Sequence, residues 1–153
     1  MRELPDKQFS LCVCIKSMPC PLTGSRVQKR LPGPERRQKI VSNEETREAV
    51  VIDPGDQGEL IAEALKRDSL QTRAILLTHG HSDHIGGLEA VKKATGAKVY
   101  ALDQERELLA DENLNLSKSL LGTIIREEAD VWLRDGEKFS MIGYEFQVIG
   151  TPG

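Results

Sequence analysis

All three histidines of the 153-residue chain lie within ten residues, in the segment T-H-G-H-S-D-H-I-G-G at Thr78–Gly87. One residue separates His79 from His81, and Asp83 and His84 follow directly after them. Imidazole nitrogens and carboxylate oxygens are ordinary zinc ligands, at about 2.0 to 2.2 Å. The spacing H-x-H-x-D-H therefore predicts a metal site in which His79 and His81 share one ion while Asp83 and His84 face a second.

Such a site would perform hydrolysis. Two metal ions about 3.5 to 4 Å apart can clamp a hydrolytic transition state, and a metal lowers the pKa of a bound water to about 7. The alternative is a polar loop whose histidines only form hydrogen bonds, and four candidate ligands directly after an apolar strand argue against it. Gly86 and Gly87 are expected to let the backbone turn tightly before a helix. A phosphate cradle is a weaker interpretation of them, because neither G-x-G-x-x-G nor a P-loop lysine is present.

The segments that position this loop alternate between predicted strands and helices. Ala49–Ile52 and Ala74–Leu77 are continuous apolar runs, typical of strands that are buried on both faces. Between them, Gln57–Asp68 predicts an amphipathic helix with a buried face of Leu60, Ile61, Ala64 and Leu65. Open α/β sheets place ligands at the carboxyl ends of their strands. The order of elements therefore predicts that Asp53 and Thr78–Gly87 lie in one crevice.

The pattern continues beyond the loop. A helix through about Thr95 should bury Ile85, Leu88 and Val91, and it is followed by a short strand at Val99–Ala101 and a helix at Asp103–Ala110. A hairpin turning at Ile142-Gly143 comes later. The alternation predicts a layered α/β domain. Four leucines between these parts could line a substrate cleft or pack against the core, namely Leu114, Leu116, Leu120 and Leu121.

Composition predicts one globular domain. The chain is 39% hydrophobic and 29% charged, which is enough for one real core. No run approaches the roughly eighteen apolar residues that a membrane span needs. The one signal-like apolar run, Phe9–Ile15, has acidic and proline residues before it, so we do not interpret it as a secretion signal. A cytoplasmic location is the resulting expectation.

Residues 1–39 form a separate, basic head. They hold nine Lys and Arg against three acids, a net charge of +6, and residues 40–153 hold 12 against 21, a net charge of -9. No aromatic residue interleaves with the basic residues between Arg26 and Lys39, which argues against nucleic-acid binding. With five of the seven prolines and no evident strand pattern, the head is predicted to be disordered. Its three cysteines lack the partners of a structural zinc site and are expected to be free thiols, Cys12, Cys14 and Cys20.

The histidine segment resembles the metal-binding signature of the metallo-β-lactamase superfamily, and V-I-D-P-G at Val51–Gly55 resembles the aspartate motif that precedes it. Leu102–Leu116, the hairpin after Asp135 and the final T-P-G are similar to the small glyoxalase II-like hydrolases of that superfamily. The resemblance covers Ile40–Gly153. It implies that these residues form the first half of an αββα sandwich.

The resemblance also implies an activity, that of a metal-dependent, hydroxyacylglutathione hydrolase-like enzyme. Hydroxide attacks a thioester carbonyl and a thiolate leaves, with His79, His81, Asp83 and His84 as metal ligands. Asp83 also helps to orient the hydroxide, and Asp53 supports the metal-binding segment by hydrogen bonding. For Asp53, a turn aspartate that bonds its own backbone is the alternative.

The implied cofactor is a pair of zinc ions, and iron or manganese suits the same ligands. The implied partner is a small-molecule thioester. No feature indicates a nucleic acid or membrane partner, and the oligomeric state stays open.

The end of the chain bears on activity. In the family, T-P-G is followed by a histidine ligand, then by a bridging aspartate and another histidine, whereas this sequence stops at Gly153 and has no further histidine. We therefore expect a truncated hydrolase whose activity as a 153-residue chain is open. Two alternatives remain: an inactive metal-binding fragment, and an iron-dependent persulfide dioxygenase of the same fold.

Overall fold

The histidine segment leaves the carboxyl end of a central strand in a six-stranded sheet. The computed structural model describes residues 9–17, 29–30 and 39–152. Its strands are β1 (Phe9–Ser17), β2 (Lys29–Arg30), β3 (Lys39–Asn43), β4 (Glu48–Ile52), β5 (Gln71–Leu76), β6 (Lys98–Leu102), β7 (Val131–Leu133), β8 (Lys138–Met141) and β9 (Tyr144–Pro152). Its helices are α1 (Gly58–Arg67), α2 (Ser82–Ile85), α3 (Leu88–Thr95) and α4 (Arg106–Ala110), with a 3₁₀ turn at Asp103–Glu105 and a π turn at Ser117–Leu121.

The strands form two sheets. The larger has the order β2-β3-β4-β5-β6-β7, in which β4 to β7 are parallel and β2 and β3 are antiparallel additions at one edge. The smaller is antiparallel, with the order β1-β9-β8. Parallel neighbours need crossover connections, and α1 and α3 supply two of them. The predicted layered α/β class is confirmed.

The core has two sides because the central strands are buried on both faces. Along β4, Ala49 and Val51 join a cluster with residues of α1 and α3, while Val50 and Ile52 join a cluster with Tyr144 and Phe146 of the hairpin. The period of two along a strand sends successive side chains to opposite faces. The molecule therefore stacks a helix layer, the larger sheet and the smaller sheet, as a continuous apolar strand requires.

The predicted elements are present with boundaries within a few residues of the prediction. The hairpin turns at Ile142 and Gly143, with φ angles of 50° and 80°, as a type I′ turn demands. The prediction was wrong for Leu60 of α1, which was expected to be buried but is 52% exposed. The buried residues of this helix are Gly58, Ile61, Ala64 and Leu65. Gly58, rather than Leu60, therefore lies on the face of α1 that packs against α3.

Two segments of the head, for which the sequence predicts disorder, form strands. β1 pairs with β9 from Phe9 opposite Pro152 to Ser17 opposite Tyr144, and β2 pairs with β3. In F-S-L-C-V-C-I, larger apolar residues alternate with serine and cysteine, which is the period of two of a strand. Antiparallel pairing supplies partners for the backbone groups of β9. The rest of the head, including Cys20, lies outside the described residues, so the boundary at residue 39 stays a prediction.

None of the helices in the described part of the chain has the length and hydrophobicity needed to cross a lipid bilayer.

Candidate metal centre

The histidine segment, called the metal loop (Thr78–Gly87) below, begins beside the carboxyl end of β4. Asp53 follows that strand and is 4% exposed. The backbone N–H of Thr78 donates to Asp53 Oδ1 and the Thr78 hydroxyl donates to Oδ2, both at 2.7 Å. The carboxylate thus accepts hydrogen bonds from a residue 25 positions away rather than from its own turn. Asp53 ties the start of the metal loop to the neighbouring strand.

The loop then brings the predicted ligands together. The ring centroids of His79 and His84 are 3.8 Å apart, and those of His79 and His81 are 5.0 Å apart. One donor atom from each of His79, Asp83 and His84 lies within 4.8 Å of the other two. His81 is outside this group of three, which differs from the predicted pairing of His79 with His81. All four side chains nevertheless belong to one compact loop.

The backbone explains this proximity. His81 is extended, with φ -68° and ψ 150°, and Ser82–Ile85 turns into helix directly after it. His79 and His81 therefore lie before the helical turn, while Asp83 and His84 lie on it. The Nε2 atom of His84 is 3.7 Å from Asp83 Oδ2. On the other side of the ring, Nδ1 is 3.1 Å from Asp53 Oδ2, in ion-pair range but outside hydrogen-bond geometry.

The glycines serve close packing rather than an unusual backbone angle. Gly86 has φ -59° and Gly87 has φ -99°, which any residue can adopt. A Cβ on Gly86 would lie 2.2 Å from the carbonyl oxygen of Gly55, and one on Gly55 would lie 1.8 Å from that of Asp83. The N–H of Gly87 donates to Pro54 at 2.7 Å. Gly86 and Gly87 form the expected turn before α3, and their lack of a side chain also lets the two backbones touch.

A buried acid that the sequence prediction missed lies on the other side of the metal loop. Glu105 is 3% exposed, and its Oε2 accepts the N–H of Gly80 at 2.8 Å. Burial raises the pKa of Glu105 to about 7, against the smaller lowering effect of the Gly80 hydrogen bond. The signal was available, since Glu105 shares a helical face with Leu108 and Leu109, where an acid is unexpected.

His81, which is half-buried, also has a shifted pKa. Burial lowers the pKa of His81, and the neighbouring His84 lowers it further. Both effects favour a neutral imidazole, which is the form that binds metals.

A second loop, called the leucine loop (Asp111–Arg126) below, borders the metal loop. Its Asn115 carbonyl accepts the N–H of Ser82 at 2.8 Å. Within the loop, Asn115 Nδ2 donates to the Ile125 carbonyl, Asn115 Oδ1 accepts from the Ser117 N–H, and Ser117 Oγ accepts from the Ile125 N–H. The loop exposes large apolar side chains, which are Leu116, Leu120, Leu121 and Ile124. Packing in the core is therefore excluded for the first three of these, while a role in lining a cleft stays a prediction.

Comparison with known proteins agrees with the fold. A profile of the metallo-beta-lactamase superfamily matches residues 41–153. A hydroxyacylglutathione hydrolase of Bdellovibrio bacteriovorus is 34% identical over 114 residues, which are 74% of this chain and 38% of that protein. Another, from Albidiferax ferrireducens, is 36% identical over 107 residues, which are 70% of this chain and 34% of that protein.

The solved structures agree as well. The BLEG-1 B3 metallo-beta-lactamase is 36% identical and superposes with a TM-score of 0.67, over 75% of this chain and 56% of that one. The chain thus spans about a third to just over a half of the length of these proteins. Because the profile covers nearly three quarters of the sequence, from β3 to the last residue, the chain belongs to the metallo-beta-lactamase superfamily, whose members are metallo-hydrolases.

Proposed function

We propose that this chain carries the metal site of a thioester hydrolase that acts on acylated glutathione. The observation that supports this most directly is the cluster of His79, Asp83 and His84, whose donor atoms lie within 4.8 Å of one another. His81 is the fourth proposed ligand. The thioester substrate class rests on the names of the two bacterial relatives, which are hydroxyacylglutathione hydrolases.

The residues fit a divalent metal ion. Three imidazoles and a carboxylate are a donor set that suits zinc, and iron or manganese can also bind it. We propose two zinc ions. When bound to such a set, metal ions polarise a carbonyl group and lower the pKa of water.

The chain's own residues would orient the ligands and handle a proton. Asp53 holds Thr78 by two hydrogen bonds and lies beside His84. It would therefore set the positions of His79, which follows Thr78, and of His84. Residues that orient metal ligands through hydrogen bonds are common in metal sites, and their loss typically lowers metal affinity 10- to 100-fold. Asp83 is the more exposed of the Asp83–His84 pair, with 38% of its side chain accessible, so its carboxylate would face the substrate and orient water. The overall reaction consumes one water and releases a carboxylic acid and a thiol.

Lactam hydrolysis is a second candidate. It is favoured by the 36% identity to the BLEG-1 B3 metallo-beta-lactamase. The two reactions both require attack of water on a carbonyl carbon, so the described residues do not discriminate between them. The substrate assay below does.

The test is metal content and hydrolysis by the purified 153-residue chain. Metal is measured by elemental analysis, and hydrolysis by thiol release from an acylglutathione and by ring opening of a penicillin. Asp83→Asn removes one proposed ligand. Asp103→Asn is the matched control, because Asp103 is exposed and, among the described residues, its side chain pairs with Arg106 three residues on.

We expect thiol release that falls at least 100-fold in Asp83→Asn and is unchanged in Asp103→Asn. Penicillin cleavage without thiol release would replace the thioester with the lactam as the substrate. Bound metal without either activity would indicate the inactive metal-binding fragment. Iron with oxidation of a persulfide would indicate the dioxygenase, and absence of bound metal would contradict the proposed site altogether.

A further inference from the structure

Three alternate amides of the metal loop donate to groups outside it. The N–H of Thr78 donates to Asp53, that of Gly80 to Glu105, and that of Ser82 to the Asn115 carbonyl, at 2.7, 2.8 and 2.8 Å. Each of His79 and His81 therefore lies between two residues whose backbone N–H is held by a group outside the metal loop.

Glu105 is the anchor between those two histidines. Its hydrogen bond to Gly80 spans 25 residues and joins the 3₁₀ turn after β6 to the middle of the metal loop. Gly80 packs so closely on Leu108 and Leu109 that a Cβ there would lie 3.0 to 3.3 Å from their side chains. A buried amide in such apolar surroundings needs a protein partner, and Glu105 Oε2 provides it.

The anchor is an unfavourable choice for stability alone. Burying a carboxyl group costs free energy unless its hydrogen bonds compensate, and among the described residues Glu105 accepts its hydrogen bond from this amide. A side chain that only filled space beside Leu108 and Leu109 would be apolar. The position of the acid at the His-Gly-His turn indicates a role in holding that turn.

We propose that Glu105 is a positioning residue of the metal site, which sets the separation of His79 and His81 by binding the Gly80 amide between them. It acts through the backbone, because it is not part of the ligand cluster of His79, Asp83 and His84. The inference rests on the proposed function for the identity of the ligands. The geometric part, that Glu105 orders the turn, does not depend on metal.

The experiment compares three variants of the full chain. Glu105→Ala removes the acceptor, and Glu105→Gln keeps an acceptor oxygen of the same reach. Glu112→Ala is the matched control, since Glu112 is also buried and its side chain binds Arg126 in the leucine loop. Two readouts are used: exchange of the Gly80 amide proton in the metal-free protein by NMR, and Co²⁺ affinity with its visible absorption spectrum.

In Glu105→Ala we expect Gly80 exchange to accelerate at least tenfold, Co²⁺ affinity to fall 10- to 100-fold, and the absorption bands to shift. Glu105→Gln should restore both readouts to within about threefold. Glu112→Ala should lower the melting temperature but leave the other two readouts unchanged.

The inference is wrong if Glu105→Ala behaves as Glu112→Ala does, or if Glu105→Gln is as damaging as Glu105→Ala. Failure of the proposed function looks different. In that case the unmodified chain binds no Co²⁺, while Gly80 exchange still decides whether Glu105 orders the turn.

Discussion

The metal loop and the leucine loop lie side by side and contain little regular secondary structure, yet they are held in different ways. The metal loop depends on anchors from elsewhere in the chain, Asp53 and Glu105, and on backbone contact with Gly55. The leucine loop is held largely by its own side chains, Asn115 and Ser117. The metal loop should therefore respond to distant substitutions, and the leucine loop mainly to substitutions within itself.

The buried acids that hold the two loops, Glu105 for the metal loop and Glu112 for the leucine loop, also differ in their partners. Glu105 is buried and accepts a hydrogen bond from the backbone amide of Gly80, and its burial raises its pKa. Glu112 makes two hydrogen bonds with the Arg126 guanidinium, at 2.6 and 2.9 Å, which lower its pKa to about 2. An acid with a cationic partner stabilises its loop when charged, whereas one without such a partner is favoured when neutral.

The largest expected effect is that of Gly55→Ala. Its Cβ would lie 1.8 Å from the backbone oxygen of Asp83, so the metal loop must move. We expect a loss of about 3 to 4 kcal/mol in the free energy of unfolding, at the upper end for overpacking. The control in the leucine loop is Gly122→Ala, where the space is open and only a φ of +66° opposes the change. A loss there of about 1 kcal/mol is expected. Equal losses by urea denaturation would remove the distinction between the loops.

The pH dependence of stability should have opposite signs for the two acids. The folded pKa of Glu105, about 7, exceeds the ordinary glutamate value of 4.5, so the folded state binds more protons between those values. Stability from this group is present below pH 4.5 and is lost as pH rises through 7, by an upper limit of about 3 kcal/mol. Glu112 has a lowered pKa, so its contribution is present above pH 4.5 and is lost as pH falls toward 2.

Urea denaturation of the metal-free protein from pH 3 to pH 8 tests both signs. Glu105→Gln should remove the decline between pH 4.5 and 7, and Glu112→Gln should remove the decline at acid pH. Unchanged pH profiles in these variants would contradict the opposed roles.

Asp53→Asn should weaken the metal loop from its other end. Asp53 has φ +48°, and asparagine tolerates this conformation well, so the backbone should persist. Asparagine has one acceptor oxygen where aspartate has two. Either the N–H or the hydroxyl of Thr78 would therefore lose its acceptor and face the NH₂ group of the amide. We expect a loss of about 2 kcal/mol and a 10- to 100-fold fall in Zn²⁺ affinity, measured by chelator competition. A normal Zn²⁺ affinity would show that Asp53 supports the fold without positioning ligands.

Asn115→Ala should affect stability and leave metal binding unchanged. Asn115 is completely buried, and its side chain makes two hydrogen bonds within the leucine loop. Their loss should cost about 1 to 2 kcal/mol and expose the loop to proteolysis. The bond from Ser82 uses the backbone carbonyl and persists, so Zn²⁺ affinity should stay within threefold. Asn113→Ala, on the exposed part of the same loop, is the control; a large loss of affinity in Asn115→Ala would show that the loops are coupled.

The smallest expected effect is that of Leu120→Ser, in which an apolar side chain that is 68% exposed becomes polar. Surface substitutions of this kind change stability by less than about 0.5 kcal/mol. A reduced melting temperature would indicate that the leucine loop packs more tightly than its exposure suggests. A raised KM for the thioester with kcat unchanged would indicate that Leu120 contacts substrate.

Local patterns were enough for much of the fold and for the location of the site. Continuous apolar runs placed β4 and β5, the period of the helices placed α1 and α3, and Ile142-Gly143 placed the hairpin turn. These are properties of neighbouring residues, which depend on periodicity and turn geometry. The same holds for the crowding of the candidate ligands into ten residues, which is why His79 to His84 could be selected without a structure.

Other features needed the tertiary structure. The pairing of β1 with β9 joins segments more than 120 residues apart, and no local signal identifies the partner of a strand. The glycine contacts arise only when the loop after β4 meets the metal loop.

By itself, the sequence determined which residues could bind metal and that a buried strand delivers them, because both follow from residue type and spacing. Only the tertiary structure decided what holds those residues in place. Asp53 and Glu105 each reach an amide 25 positions away, and burial of such a carboxyl depends on how the layers pack rather than on its neighbours in the chain.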